Sequence, residues 1–261
     1  MKALRIVLAG ALALLSALAL LAWFLPARWA LAALQPRLHG VRLEQVSGLL
    51  WHGHAGRVLD AGGDDLGALD WTLSRRALLG DLRLRFALDG PGRSISGAMR
   101  RLSATESAWR DVRVQADASV LDGWVVLGGQ RLHGRLNVHI VDARLQGYWP
   151  MRLHGSAQWL DGAVDDAGRR VELGGFRLDA DGEGGVLRLH AGDDGRGPLH
   201  ADGQATLSPL GWRYALTLQP RTDDPALHRW LQRFGQPAPD GSLRLHGSGG
   251  LAKTLSRMER R

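Results

Sequence analysis

Residues 82–88 have the sequence LRLRFAL, in which large apolar side chains alternate with two arginines and one alanine. Successive side chains of a β-strand point to opposite faces of the sheet, so this period of two gives a strand one apolar and one polar face. The same alternation recurs in residues 132–140, 151–159, 176–180, 186–190, 199–207, 212–218 and 243–251. We therefore predict an all-β fold of antiparallel strands with one water-facing side.

Short sequences rich in Asp, Gly and Pro separate these segments and predict the chain reversals between strands. They lie at 89–92, 121–123, 161–162, 165–168, 181–182 and 193–195. Regular spacing of strands and turns is typical of a meander, in which each strand pairs with the next one along the chain. We expect a twisted or curved antiparallel sheet of this kind.

One segment in the C-terminal half breaks the β pattern and predicts a short helix. Asp223 and Asp224 precede Pro225, and proline suits the first turn of a helix because its missing N–H would have no partner there. Apolar residues then follow at helical spacing before Gly235, namely Leu227, Trp230, Leu231 and Phe234. We expect this helix to cover an open end of the sheet core.

The N-terminal region has a different composition. Residues 6–25 contain no charged side chain, and a helix of that length spans about 30 Å, the thickness of the hydrocarbon core of a bilayer. Lys2 and Arg5 precede the run, so we expect a single transmembrane helix with its short tail in the cytoplasm. The alternative is a signal peptide cleaved after the Ala-Leu-Ala sequence at 30–32, although signals usually have an apolar region of only about 7 to 15 residues.

The predicted organisation has five parts. They are a cytoplasmic tail at 1–5, the transmembrane helix at 6–25, a membrane-proximal linker at 26–40, a periplasmic β domain at 41–251 and a basic C-terminal tail at 252–261. We thus expect a single-pass protein of the bacterial inner membrane with the bulk of its chain in the periplasm. Because the chain contains no cysteine, disulfides, thiolate catalysis and cysteine metal sites are excluded.

The net charge of +7 comes from 33 basic and 26 acidic residues, and only Lys2 and Lys253 are lysines. The arginines alternate singly with leucines and form no basic block, so we expect no nucleic-acid partner. A mildly basic body suits contact with anionic headgroups or acidic partners.

We find no complete catalytic or cofactor-binding motif in the sequence. His52 and His54 would face the same side of a strand, as a metal site could use, but without a third ligand we expect two exposed histidines. Residues 64–65 and 193–197 resemble calcium loops without the spaced oxygen ligands, and they predict solvated turns. Residues 247–250 place glycines around a serine, but in an alternating strand rather than a nucleophile elbow. We expect no enzyme activity, no cofactor and no metal.

The most distinctive segment is residues 41–58, VRLEQVSGLLWHGHAGRV. A predicted strand runs into Gly48, where glycine permits a bulge or a close backbone approach, and Trp51 can place its indole over the space that Gly53 and Gly56 leave. We interpret Trp51 as a core side chain at the start of the sheet. The alternative is a hot spot for binding a partner.

This segment resembles the type II secretion system protein N family, whose members carry a similar V-x-G-t-[LV]-W-x-G sequence shortly after one N-terminal membrane helix. His52 stands where the family more often has a small polar residue. Residues 69–73, LDWTL, are like the L-x-W-x-L strand that follows in the family. The C-terminal pattern of the family is matched by residues 214–220, Leu231, Gly235 and Asp240-Gly241-Ser242. Residues 95–200 match by strand pattern alone.

The resemblance implies a non-enzymatic component of the apparatus that exports folded proteins across the outer membrane. Such a protein would be anchored in the inner membrane and act through contacts with other type II secretion subunits, with the outer-membrane secretin as one candidate partner. Exposed strand edges are expected contact surfaces, because an unpaired edge offers backbone hydrogen bonds. The motif residues that we name as candidate contacts are Gly48, Trp51, Gly53, Trp71, Asp240 and Gly241.

A second hypothesis is lipid binding or transfer. A curved antiparallel sheet with a continuous apolar inner face can cradle acyl chains, and the family resembles AsmA-like envelope proteins in its anchor and β layout. An open groove lined by Leu, Val and Trp would favour lipid, whereas interdigitated packing would favour a scaffold. A third hypothesis, an envelope hydrolase, would need a convergent polar site that the sequence does not display.

Overall fold

The computed structural model describes residues 24–34, 40–122, 130–166 and 168–250. These residues form two short α-helices, α1 (Ala27–Leu34) and α2 (Pro225–Gln232), and thirteen β-strands. The strands are β1 (Arg42–Leu49), β2 (His52–Leu59), β3 (Asp65–Leu73), β4 (Arg83–Gly90), β5 (Arg93–Arg101), β6 (Glu106–Asp117), β7 (Leu132–Gln146), β8 (Trp149–Asp166), β9 (Arg169–Glu183), β10 (Val186–Asp193), β11 (Leu199–Ser208), β12 (Gly211–Pro220) and β13 (Leu243–Gly250). The chain divides between Pro91 and Gly92 into two compact units.

The first unit contains α1 and strands β1 to β4, each strand antiparallel to the next. A short 3-10 helix at Arg75–Leu79 joins β3 to β4, and the Ser74 hydroxyl caps it by accepting a hydrogen bond from the N–H of Arg76 at 3.2 Å. The backbone just before α1 is tied to the first hairpin, because the N–H of Leu50 donates to the carbonyl of Leu25 at 2.9 Å. The region that we predicted to be a linker therefore contains a helix.

The second unit contains β5 to β13, and every strand pairs antiparallel with the next one along the chain. The predicted all-β antiparallel meander is confirmed. The period-two sequence pattern does not predict β5 and β6, because both strands are irregular. Their pairing shifts between Ser96 and Ala98, and Asp111 of β6 has a left-handed φ of +49°.

Two sequences that predict turns lie inside strands instead. Asp161-Gly162 forms a β-bulge in β8, where Asp161 has a φ of +51° and the pairing with β9 shifts. Asp181-Gly182 lies within β9, and the reversal to β10 falls at the two glycines at 184–185. A Cβ on Gly182 would lie 2.3 Å from the Leu187 side chain on β10. Glycine serves packing against the neighbouring strand there, a need that local sequence does not reveal.

Helix α2 forms where its cap and its apolar stripe predict it. The Asp224 carboxylate accepts a hydrogen bond from the N–H of Ala226 at 2.8 Å, as an N-cap does. Leu227, Trp230 and Leu231 are all buried. They pack against side chains at the strand ends, namely Leu132, Val164, Val171, Leu199, Leu218 and Leu243. The helix therefore covers one end of the apolar face of the second unit, as predicted.

Away from α2, the same apolar face is only partly buried. One row of paired residues crosses six strands in the order Leu153, Gly182, Leu187, Leu207, Trp212 and Gly249. None of these residues belongs to the core cluster around α2, and Trp212 is 47% exposed. Apolar surface therefore remains accessible along this part of the sheet.

No helix within the described residues is both long and apolar enough to cross a membrane. Residues 6–23 of the predicted transmembrane helix lie outside the described residues, as do the predicted tails at 1–5 and 252–261. The membrane anchor therefore stays a prediction from the sequence.

Candidate functional site

The distinctive segment at residues 41–58 folds as the hairpin of β1 and β2 in the first unit. Gly48 pairs with Gly53 across this hairpin, and Leu49 pairs with His52. Gly48 has a φ of +80°, and a Cβ there would lie 2.5 Å from the carbonyl oxygen of His52. Glycine alone accepts both the left-handed backbone and so close an approach. The motif glycine therefore sets the geometry of the hairpin.

Trp51 is a buried side chain at the end of this hairpin. The residue is 1% exposed, and its carbonyl oxygen accepts a hydrogen bond from the N–H of Leu73 at 2.8 Å. Burial of an indole removes a large apolar area from water and stabilises the fold. The structure therefore favours the core interpretation of Trp51, because a partner could contact its ring only after the hairpin opened.

Trp71, and not Trp51, fills the space that Gly53 leaves. The Trp71 Nε1 donates a hydrogen bond to the carbonyl of Leu50 at 3.0 Å, which holds the ring in place. A Cβ on Gly53 would lie 2.1 Å from Cζ2 of Trp71, so no larger residue fits beneath the ring. The structure thus brings four of the predicted site residues into one packed hairpin cluster, consisting of Gly48, Trp51, Gly53 and Trp71.

A cavity of about 470 Å³ lies beside the hairpin cluster, lined by residues of β2, β3 and β4. His52, His54 and Arg85 contribute to its lining, and His54 Nδ1 lies 2.8 Å from Asp70 Oδ1. Both partners of this ion pair are exposed, and such pairs contribute about 0–1 kcal/mol to stability. Within the described ranges, no group of three or more His, Cys, Asp or Glu side chains could hold a metal ion.

Asp240 and Gly241, the other two predicted site residues, form the turn that leads into β13 in the second unit. The Asp240 Oδ1 accepts hydrogen bonds from the Ser242 hydroxyl at 2.6 Å and from the Ser242 N–H at 2.9 Å. These bonds hold the pKa of the Asp240 carboxyl below its usual value. Gly241 has a φ of +78°, and Ser242 is 3% exposed. The turn therefore determines where β13 begins, next to Leu243 in the core beneath α2.

Asp193, which the sequence places in a solvated turn, is instead a buried carboxylate at the centre of a polar network whose other side chains, Arg221 and His200, are partly exposed. Its side chain is 4% exposed and accepts hydrogen bonds from Arg221, from His200 Nδ1 at 2.7 Å and from the backbone N–H of Gly195 and Ala201. Burial acts to raise the pKa of the Asp193 carboxyl, but the bonds from Arg221, Ala201, Gly195 and His200 outweigh it, and the pKa lies well below its usual value. Asp194, Gly195 and Arg196 are exposed outside the strands, as a solvated turn predicts, so the prediction fails for Asp193 alone. Its partner Arg221 directly follows β12 and lies 28 residues away along the chain.

Other titratable side chains of the second unit pair across neighbouring strands. His139 Nε2 lies 2.9 Å from Asp111 Oδ1, and His154 Nδ1 lies 2.9 Å from Asp181 Oδ1. All four side chains are more than one third exposed. Each pair joins two neighbouring strands on the polar face. The pairs are spread along the sheet, an arrangement typical of surface ion pairs.

A family model for type II secretion system protein N matches residues 39–246. The matched range contains all three segments that resemble the family, and with them the hairpin cluster and the Asp240-Gly241 turn. No curated protein and no solved structure matches the chain. Because the match extends over 208 of 261 residues, counting from 39 to 246, the chain belongs to the type II secretion system protein N family.

Proposed function

We propose that this protein is a non-enzymatic, inner-membrane-anchored periplasmic component of a type II secretion system. The family match over residues 39–246 is the observation that carries the proposal. The uncharged run at residues 6–25, with Lys2 and Arg5 before it, supports an anchor with the β domain on the periplasmic side.

In this proposal the protein works by contacts with other subunits, with the secretin as one candidate. The candidate contact residues differ in how accessible they are to a partner. Trp51 and Gly53 are buried, so their part in a contact would be to hold the hairpin in shape. The exposed strand edges and the turn at Asp240 and Gly241 are more accessible to a partner.

The test is secretion by a strain in which the gene is deleted. We expect the exported enzymes of the system to accumulate in the periplasm and their extracellular amount to fall several-fold. Expression of the full-length protein should restore secretion, while a form in which residues 2–25 are replaced by a cleavable signal peptide should not, because it lacks the anchor. Normal extracellular levels in the deletion strain would contradict the proposal.

The partly buried apolar row favours a second candidate function, which is lipid binding. Leu187 and Leu207 lie in that row next to the exposed Trp212, so an acyl chain could cover all three. Such a function would account for an apolar sheet face that α2 covers at one end only.

Lipid binding is tested by mass spectrometry of the protein purified from membranes. We expect phospholipid to accompany the wild type and to be lost from Leu207→Asp, because a carboxylate in the apolar row repels acyl chains. The neighbouring variant Thr206→Asp is the matched control, since Thr206 lies on the polar face, paired with Arg188 and Arg213, and should keep its lipid. A wild-type protein without lipid would rule out this second function.

A further inference from the structure

Strand β13 is an edge strand of the sheet that the described residues form. It pairs with β12 from Leu243 to Gly250, and it is the last strand in the order of the sheet, with no described strand on its other side. Edge strands usually carry a proline, a bulge or lysines that prevent another strand from pairing. The sequence of β13, LRLHGSGG, has neither proline nor lysine, and its pairing with β12 runs without a register shift. Among the described residues, no strand pairs with the outer side of β13, so the sheet can be extended there by a partner strand.

Two aromatic rings of β12 lie over β13 on the apolar face. Trp212 and Tyr214 stack with centroids 5.9 Å apart and planes 16° apart. A Cβ on Gly249 would lie 2.9 Å from the Trp212 ring, and one on Gly247 would lie 2.6 Å from the Tyr214 ring. The rings thus occupy the place of the missing β13 side chains, yet Trp212 is 47% and Tyr214 40% exposed. A strand added beyond β13 would bring its own apolar side chains against these rings.

The opposite face of the same two strands is cationic. Arg213 of β12 and Arg244 and His246 of β13 lie on that face, and their side chains are all exposed. Neither β12 nor β13 contains an Asp or a Glu. Acidic side chains on the polar face of an added strand would therefore be attracted, and basic ones repelled.

We propose that β13 binds an extended segment of another protein by β-augmentation, and that this segment alternates apolar with acidic residues. The apolar side chains cover Trp212 and Tyr214, and the acidic side chains face Arg213 and Arg244. Pairing of β13 with the β13 of a second copy is disfavoured, because it would place like charges opposite each other. The inference rests on the proposed function, in which it identifies the chemistry of one contact with another subunit.

The test uses the full-length protein in detergent and a fluorescently labelled peptide of four Val-Glu repeats. We expect this peptide to bind at least about tenfold more tightly than a Val-Lys peptide of the same length, as judged by fluorescence anisotropy. A Val-Glu peptide with alternate amides N-methylated, so that one edge cannot form backbone hydrogen bonds, should bind at least about tenfold more weakly. Equal binding of the three peptides, or no binding of the Val-Glu peptide, would overturn the proposal.

Two variants and one control locate the site. Arg244→Glu should reverse the preference between the two peptides, and Trp212→Ser should weaken the binding of both. Arg188→Glu makes the same charge change on the polar face of the interior strand β10 and should leave binding unchanged. If Arg244→Glu and Arg188→Glu have equal effects, the edge is not the binding site.

The peptide assay tests the β13 proposal and the secretion assay tests the proposed function, so either one can be contradicted without the other. A deletion strain that does not secrete, together with a protein that ignores the Val-Glu peptide, would remove the β13 proposal and keep the proposed function. Normal secretion by the deletion strain, together with specific peptide binding, would remove the function in secretion and keep the edge as a binding site.

Discussion

Trp230→Ala is expected to lower the free energy of unfolding of the second unit by about 3–5 kcal/mol, the usual effect of truncating a buried Trp. Trp230 is 4% exposed at the centre of the contact between α2 and the sheet, and its ring meets Phe234 edge-on at 5.0 Å. Its Nε1 donates a buried hydrogen bond of 2.8 Å to Gln130 Oε1. Alanine would leave both a cavity and an unpaired amide oxygen. Because a whole domain is stable by only about 5–15 kcal/mol, this loss would be a large fraction of the total.

Urea unfolding followed by circular dichroism measures this effect. Arg229→Ala is the matched control, since Arg229 lies on the same helix and is exposed, and it should change the free energy of unfolding by no more than about 0.5 kcal/mol. Trp230→Phe should fall between the two, because it keeps most of the apolar contact but loses the hydrogen bond to Gln130 and part of the ring volume. If Trp230→Ala and Arg229→Ala have the same free energy of unfolding, the helix does not anchor the core.

The second large effect is expected from Asp193→Asn, which removes the buried charge at the centre of the network formed with Arg221 and His200. The loss should be about 2–4 kcal/mol at neutral pH, since an amide cannot accept the bonds from Arg221, His200 and two backbone N–H groups equally well. Arg221 is 35% exposed, so water can partly replace its lost partner, and this keeps the estimate below the value for a fully buried pair.

The difference between wild type and Asp193→Asn should depend on pH. Because the pKa of Asp193 is lowered in the folded state, its contribution is fully present above the unfolded-state pKa of about 4 and is lost as the pH falls toward the folded-state value. Asp65, Asp165 and Asp240 also have lowered pKa values, but they are present in both proteins. Urea midpoints measured from pH 7 down to pH 2 should therefore converge, and a gap that stays constant would contradict the assignment.

The local patterns in the chain were sufficient for most strands and for α2. An alternation such as that of residues 82–88 needs no distant partner to be recognised, and an N-cap such as Asp224 acts on the next turn of the chain. Turns were less predictable. Gly182 looks like a turn residue, but its small size serves the Leu187 side chain of the neighbouring strand. The pairing that creates this need arises only when the sheet has formed.

In the candidate site, too, part of the arrangement follows from the local sequence and part only from the tertiary structure. The motif predicted that Gly48, Trp51 and Gly53 belong together, and the match to the family extends over both ends of the β body. It was tertiary structure that assigned the space above Gly53 to Trp71, 18 residues later, and not to Trp51. The burial of Trp51 was also decided by the tertiary structure, because a hairpin sequence alone does not show which aromatic side chain the next strand will cover.

The sequence by itself determined most of the strands, helix α2, the absence of cysteine chemistry and the family. These properties depend on residue type and on short spacing, which a linear chain contains in full. Only the tertiary structure decided that Asp193 is buried against Arg221, and that Trp212 and Tyr214 lie over the glycines of the edge strand β13. The reason is physical: such contacts join residues about thirty positions apart, and they exist only after strand pairing has brought the two segments to neighbouring places in the sheet.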